Sequence, residues 1–271
     1  MFRRLAQDCA NYISALRGEQ AGSGKRLGDI LNCPVFVINL ERSKYRREFI
    51  LGYLSGLGIQ AQIHPAVDGA LLNMDNLAAQ GDYNDAVSHE KFSRSLSRAE
   101  IGCTLSHLGI YRKMVDAGMD MALILEDDAT FVPRAADHLD AMLREAPADW
   151  DLLQLHYACT ERKPVSMHIV KFPAEKCMPV GSLAYFIRRT GAEKMLRASY
   201  PICYPADSLI GRSPRWGVVL YGSASPLVMP NSVFPTDIQV GGGVYAKTAT
   251  FVKRAVVTVV GMLFAKKRRS T

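Results

Sequence analysis

Three consecutive carboxylates, Glu126, Asp127 and Asp128, follow directly on the apolar run of residues 121–125. The run predicts a strand buried on both faces, as in a parallel sheet, and ligands bind at strand ends in open α/β sheets. Adjacent acids raise one another's proton affinity, and a hard divalent cation would keep them ionised. The pattern therefore predicts a metal site that holds a phosphate through the ion, although acid runs also occur on solvated loops and at helix starts.

The three acids are expected to differ in role because side chains alternate along a strand. Glu126 and Asp128 should then point to one side and Asp127 to the other. Such a pair can share a metal-diphosphate, in which one carboxylate coordinates the ion and the other reaches a ribose or a metal-bound water. Asp127 is the more structural acid, positioned to hold the following turn.

Polar residues also follow the first predicted strand, residues 35–39. Asn39 ends the strand, Arg42 and Arg46 lie just beyond it, and guanidinium groups at a strand end suit phosphate binding. Arg46 equally fits a solvated helix face. The pair Asp68-Gly69, after the second strand, is compatible with a ligand loop or with a plain turn.

The clearest helix signal begins at Ser97, which forms a capping box with Glu100. An apolar stripe continues to about residue 118, where a glycine ends the helix. Ser106 and His107 lie on this helix and either face a cleft or pack as ordinary helix residues. Glu100 already has a structural role as the capping-box partner.

A further carboxylate, Asp207, follows a proline and precedes an apolar triplet. It fits the start of a short helix, as a cap, and it also fits a lone general base. No Ser-His-Asp order, paired-cysteine zinc site, Walker loop or G-x-G-x-x-G unit occurs in the sequence.

Alternating strand and helix patterns predict a layered α/β domain with helices on both faces of the sheet. The chain has 271 residues, enough for one large domain with an ample core. We expect an N-terminal leader at residues 1–33 with an amphipathic helix, a globular domain at residues 34–246 and a tail at residues 247–271.

The positive charge is concentrated in the tail. The seven basic residues from Lys247 onward, with no acid among them, account for the whole net charge of +7. A neutral body argues against a general nucleic-acid surface. Basic groups bracket the apolar run 255–265, so residues 253–269 fit a peripheral anchor on an anionic membrane surface; the alternative is a packed C-terminal element. Eleven apolar residues are too few to span a bilayer.

Six cysteines occur at irregular spacing with no C-x-x-C pair. Several lie in apolar or helical contexts, where cysteine acts as a small hydrophobe. We therefore expect reduced thiols in a cytosolic setting. Together with the tail, this predicts a peripheral protein on the inner face of the cytoplasmic membrane.

Four sequence blocks, residues 36–42 with Arg46, 66–69, 96–107 and 122–131, occur in that order. They resemble glycosyltransferase family 25, the lipopolysaccharide and lipooligosaccharide galactosyltransferases of bacteria, with collagen galactosyltransferases as distant relatives. The resemblance covers roughly residues 34–210, and the pairing of E-I-G-C-x-x-S-H with I-L-E-D-D is its most specific part.

The resemblance implies a GT-A-like, single Rossmann-type nucleotide-sugar-binding domain that performs an inverting transfer from UDP-galactose to a lipid-linked or surface glycan. It implies a divalent metal, Mn²⁺ first and Mg²⁺ second, held by Glu126 and Asp128 in place of a D-x-D element. Asp207 is the expected base, with Asp237 second. The expected donor-binding residues are Asn39, Arg42, Arg46, Asp68, Gly69, Glu100, Ser106, His107, Glu126 and Asp127.

Two other functions fit the same residues. A non-catalytic glycan-binding protein on a membrane surface would keep the fold without turnover. A metal-dependent phosphohydrolase would also place acids at strand ends.

Overall fold

The computed structural model describes residues 25–173 and 178–231. Apart from Asn231, these residues belong to one compact unit that ends at Pro230. Helices and strands are interspersed along the chain, as the hydrophobic patterns predict. The α-helices are α1 (Leu27–Ile30), α2 (Lys44–Gly56), α3 (Met74–Ala79), α4 (Asp85–Phe92), α5 (Arg98–Asp116), α6 (Ala135–Glu145), α7 (Arg189–Ala198) and α8 (Ala206–Arg212). The strands are β1 (Val35–Asn39), β2 (Ala61–Pro65), β3 (Met121–Glu126), β4 (Ala129–Phe131), β5 (Leu152–Gln154), β6 (Lys163–Pro164), β7 (Ile169–Lys171), β8 (Ala184–Arg188), β9 (Leu220–Ser223) and β10 (Val228–Pro230).

The described strands form an eight-stranded sheet in the order β2-β1-β3-β8-β5-β9-β7-β6, and β4 pairs separately with β10. β1 is parallel to both β2 and β3, as a βαβ unit requires. β8 is antiparallel to β3 and β5. The expected parallel sheet is therefore correct for one half, whereas the whole sheet is mixed.

The sheet separates two apolar cores. Leu123 and Leu125 of β3 belong to one core, and Ala122 and Ile124 belong to the other. All four side chains are fully buried, which confirms the strand buried on both faces. Helices cover each face because the apolar side chains of both faces must be removed from water.

The first helix extends the packed body toward the N-terminus. Leu27 of α1 is buried in the same core as Val35. The body thus includes residues ahead of the start predicted at residue 34. The predicted amphipathic leader helix falls within residues 1–24, which lie outside the described residues. The predicted anchor at residues 253–269 and Asp237 also lie outside them.

Two segments interpreted as irregular contain regular structure. The connection at residues 70–96 forms a 3₁₀ turn at Gly69–Leu71 and then α3 and α4, with Asn73 and Asn84 as their N-caps. The loop after β5 contains the short strands β6 and β7. Local capping by side-chain oxygens sets these short helices, whose apolar periodicity is weak.

The cysteine prediction is wrong at one position. Cys159 is disulfide-bonded, whereas Cys33, Cys103 and Cys203 are free thiols. The disulfide at Cys159 departs from the prediction that the cysteines are reduced. Within the described ranges, no helix is long and apolar enough to cross a membrane.

Candidate active site

The acid triplet lies at the carboxyl end of β3. Glu126 is the last strand residue, and Asp127 and Asp128 form the turn into β4. The predicted alternation assumed a strand that continued through Asp128, and this is wrong because the chain turns after Glu126. The three carboxylates therefore take their directions from the turn and from their partners.

Asp127 is the buried, structural acid of the three. The side-chain amide of Asn39 donates to its Oδ2 at 2.6 Å, and Arg46 forms an ion pair with its Oδ1. Arg47 donates to Asn39 Oδ1 at 3.0 Å and so fixes the orientation of the amide. Burial raises the pKa of Asp127, while Arg46 and Asn39 oppose that rise. Asn39 and Arg46, expected to bind the donor, are therefore engaged in holding this acid.

Asp128 is poorly compensated. Its Oδ2 lies 3.6 Å from Arg46 Nη2, and its Oδ1 is buried with no hydrogen-bond partner in the described part of the chain. Burial and the charge of Glu126, followed by that of Asp127, raise its pKa to about 7. Arg46 opposes this rise only in part, so the ionised form of Asp128 is poorly stabilised by the described residues.

Glu126 has a different environment. The Ser182 hydroxyl donates to its Oε1 at 2.5 Å, and His107 Nε2 lies 3.9 Å from the same oxygen. Burial tends to raise the pKa of Glu126, but the His107 imidazole, the Ser182 hydroxyl and Arg46 together hold it below its ordinary value. Glu126 and Asp128 thus have pKa values shifted in opposite directions.

His107 is 1% exposed and points at the acids from α5. Its Nδ1 lies 2.7 Å from the Tyr185 hydroxyl, which lies 2.6 Å from the Tyr111 hydroxyl. Its Nε2 has no hydrogen-bond partner among the described residues. Cys103, one turn earlier, places Sγ within 4.8 Å of both His107 and Glu126.

The other two helix residues expected at the donor have structural partners. Ser106 accepts a hydrogen bond from the Val67 backbone at 2.8 Å and donates to the Gly102 carbonyl at 2.6 Å. Glu100 completes the capping box with Ser97, as predicted, and binds both terminal nitrogens of Arg94. Both side chains position α5.

The segment with Asp68 and Gly69 packs against α5 through two glycines. A Cβ on Gly102 would lie 2.6 Å from the Val67 oxygen and 2.9 Å from the Gly69 nitrogen. A Cβ on Gly69 would collide with the Arg98 carbonyl. Asp68 caps the 3₁₀ turn and pairs with Arg42. This close backbone contact explains both glycines without a ligand.

Asp207 lies in the first turn of α8. Its Oδ1 accepts a 2.5 Å hydrogen bond from the Ser208 nitrogen. Burial is the main cause of its raised pKa, and the charges of Glu126 and Glu100 add to it. The structure thus places it within electrostatic reach of Glu126, as a site acid requires. Thr104 on α5 donates at 3.3 Å to the carbonyl of Tyr204, which lies two residues ahead of α8.

His156 is a residue that the sequence interpretation did not select. It lies two residues beyond β5, and its Nδ1 is buried without a hydrogen-bond partner in the described ranges. Burial lowers its pKa and Glu126 opposes that effect, which places His156 near the acids. Its position just after a predicted strand was the available signal. Ser182 and Cys103 were also missed as site residues.

Comparison with known proteins places the chain in a family. The family model described as "Glycosyltransferase family 25 (LPS biosynthesis protein)" matches residues 32–210. Procollagen galactosyltransferase 1 of Danio rerio is 30% identical over 236 residues, which is 80% of this chain and 38% of that protein. Inactive glycosyltransferase 25 family member 3 of Homo sapiens is 33% identical over 194 residues, which is 65% of this chain and 31% of that protein.

The chain spans less than two fifths of the length of these relatives. Among solved structures, A197 from STIV aligns with 78% of this chain and all of its own at 11% identity and a TM-score of 0.39, a likeness too weak to support an argument. The family match covers more than half of the chain and contains the acid triplet, His107 and Asp207. The chain belongs to glycosyltransferase family 25.

Proposed function

We propose that the protein is a metal-assisted glycosyltransferase that moves a hexose from a UDP-sugar to a surface glycan of the lipopolysaccharide type. Galactose is the first candidate for the hexose, and the transfer inverts the anomeric carbon. The observation that carries the proposal is Asp128, whose Oδ1 is buried without a partner among the described residues and whose pKa is raised to about 7 beside Glu126. An acid held in this state fits a site completed by a cation.

The carboxylates of Glu126 and Asp128 would hold the ion, for which Mn²⁺ is the first candidate and Mg²⁺ the second. The donor set fits such an ion because both side chains offer oxygen ligands and Arg46 compensates only part of their charge. A bound divalent metal supplies neutralisation of the diphosphate leaving group. The sequence places this pair in a GT-A-like nucleotide-sugar domain, and the described sheet with helices on both faces supports that placement.

Asp207 is the proposed general base. Its raised pKa makes the carboxylate a stronger base than an ordinary aspartate for taking the proton of an acceptor hydroxyl. In the proposed step, an Asp207 oxygen takes the hydroxyl proton while the acceptor oxygen bonds to the anomeric carbon and UDP leaves with its bonding electrons. Asp237, the second candidate from the sequence, lies outside the described residues.

The experiment is a panel of UDP-sugars with Mn²⁺ and a glycan acceptor, read as UDP release that depends on acceptor. We expect UDP-galactose to give the highest turnover and a chelator to abolish it. Asp128→Asn and Asp207→Asn should each lose at least about 100-fold in kcat. Asp120→Asn is the matched control, because Asp120 is 92% exposed just before β3, at the end opposite the site. Full turnover with chelator present would refute the metal part.

A non-catalytic function is the second candidate, because family member 3 of Homo sapiens is named inactive and is 33% identical to this chain. Under that function, the protein would bind UDP-galactose without turning it over. A donor-induced rise in melting temperature, combined with no UDP release on any acceptor in the panel, would favour it over transfer.

We further propose that residues 253–269 attach the protein to an anionic membrane surface on its cytoplasmic side. Basic groups on both sides of an apolar run support this. In a flotation experiment with vesicles that contain anionic lipid, the full chain should float with the vesicles. A variant that lacks residues 251–271 should stay in the unbound fraction. Equal flotation of both proteins would contradict the proposal.

A further inference from the structure

Three potential metal ligands meet beneath the acid triplet. Cys103 Sγ, His107 Nε2 and a Glu126 carboxylate oxygen all lie within 4.8 Å of one another. His107 Nε2 and Glu126 Oε1 are 3.9 Å apart. Zinc bonds of about 2.0–2.1 Å to nitrogen and about 2.0–2.2 Å to oxygen span that gap. For an ion bonded to both of these atoms, a bond of about 2.3 Å to sulfur requires Cys103 Sγ to move inward by up to about 1.4 Å when Sγ lies at the 4.8 Å limit.

The helix and its neighbours aim these atoms at one point. Cys103 and His107 are four residues apart on α5, so they lie on the same face. When His107 Nδ1 donates to the Tyr185 hydroxyl, the Nε2 lone pair points toward Glu126. Metal-binding histidines commonly have such an outer-shell partner, which fixes their tautomer and ring orientation.

The burial of His107 is the second, independent observation. The side chain is 1% exposed, and Nε2 has no hydrogen-bond partner among the described residues. At 3.9 Å, Glu126 is too far away for a hydrogen bond. A buried polar nitrogen without a partner indicates a ligand that completes it. Cys103 and Glu126 keep part of their surface exposed, which gives an ion a route of entry.

We propose that Cys103, His107 and Glu126 bind a divalent transition metal of the zinc type, with a fourth position open to water. Thiolate and imidazole ligands favour Zn²⁺ or Co²⁺ over the harder Mg²⁺. Binding replaces the Cys103 S–H bond with a metal–sulfur bond and releases the proton to solvent. The proposed site shares Glu126 with the Asp128 site, but the evidence for it does not depend on the transferase activity.

The test titrates the full-length, chelator-treated protein with Co²⁺ in the absence of any sugar nucleotide. We expect one equivalent of Co²⁺ to give a thiolate-to-cobalt charge-transfer band and tetrahedral ligand-field bands. Added Zn²⁺ should displace the Co²⁺ and remove both sets of bands. Cys103→Ser should abolish the charge-transfer band. Tyr185→Phe should keep the band and weaken binding by about 10- to 100-fold, because it removes the outer-shell partner of His107.

Cys33→Ser is the matched control, because Cys33 is also a free thiol and is not part of the ligand group. Its titration should match that of the unmodified protein. X-ray absorption of the zinc-loaded protein should show one sulfur with nitrogen and oxygen neighbours, a result that does not depend on the folding of any variant. Three results would overturn the proposal and leave a bare contact between His107 and Glu126. The charge-transfer band could be absent, it could survive Cys103→Ser, or the zinc shell could contain no sulfur. None of these outcomes bears on sugar transfer, which is measured separately.

Discussion

The side-chain amide of Asn39 donates a 2.6 Å hydrogen bond to Asp127, which joins the ends of two parallel strands, β1 and β3. The same carboxylate pairs with Arg46. The family signature after β1 and the acid triplet after β3 therefore form one unit. Its effect is to fix the turn that carries Asp128.

Removal of Asp127 should destabilise the protein. In Asp127→Ala, Arg46 loses its closest carboxylate and Asn39 loses its acceptor in a buried setting. Breaking a buried pair from one side costs about 3–5 kcal/mol, and we expect the lower end because Asp128 remains near Arg46. Urea unfolding measures the difference. Asp128→Asn, which removes a poorly compensated charge, should lose no stability at pH 7; equal losses in both variants would contradict separate roles.

The raised pKa of Asp128 predicts how stability depends on pH. With a folded pKa of about 7 and an ordinary value of 3.8, the folded protein binds more protons than the unfolded chain between those limits. This group therefore contributes stability at low pH that is lost as pH rises from about 4 through about 7. With chelator present, wild type should fall relative to Asp128→Asn across that window in thermal melts. A constant difference would show that the Asp128 pKa is not raised.

Two helix glycines should respond in opposite ways to alanine. Gly102→Ala places a methyl group 2.6 Å from the Val67 oxygen, and overpacking of this kind costs about 1–3 kcal/mol. Gly52 lies inside α2, where an added methyl group would meet no atom within 4 Å. Gly52→Ala should therefore stabilise the protein by about 0.5–1 kcal/mol. Denaturant midpoints of the two variants give the comparison, and a loss at both positions would show that helix propensity is not the controlling factor.

The sequence predicted those parts of the fold that depend on local pattern. The buried strand β3 and the capping box at Ser97 are both encoded by adjacent residues, and both are confirmed. The antiparallel direction of β8 was not predicted, because it depends on a distant pairing with β3 and not on the composition of the strand. His156 and Ser182 were missed for the same reason, because strand order and not local sequence brings them near Glu126.

Roles within the site were harder to predict than its location. The structure places His107 Nε2 3.9 Å from Glu126 Oε1, although α5 leads into the end of β3 opposite the triplet. Ser106 and Gly69 were expected at the donor because they accompany the family motif. The structure shows that they hold α5 against the loop after β2, a packing constraint that a sequence motif does not distinguish from chemistry.

Glu100 tests this distinction directly. Its carboxylate binds Arg94 and the Ser97 backbone and hydroxyl, and these partners outweigh burial to hold its pKa below the ordinary value. A depressed pKa contributes stability above pH 4.5 that is lost as pH falls through the folded value. Glu100→Gln should therefore be less stable at pH 7, and the difference should shrink as pH falls below 4.5. Ser97→Ala, which removes the other half of the capping box, should cost about 1 kcal/mol. If Glu100 only positions α5, neither variant should change the KM for the UDP-sugar by more than about twofold. A large rise in KM that occurs only in Glu100→Gln would instead assign Glu100 to donor binding.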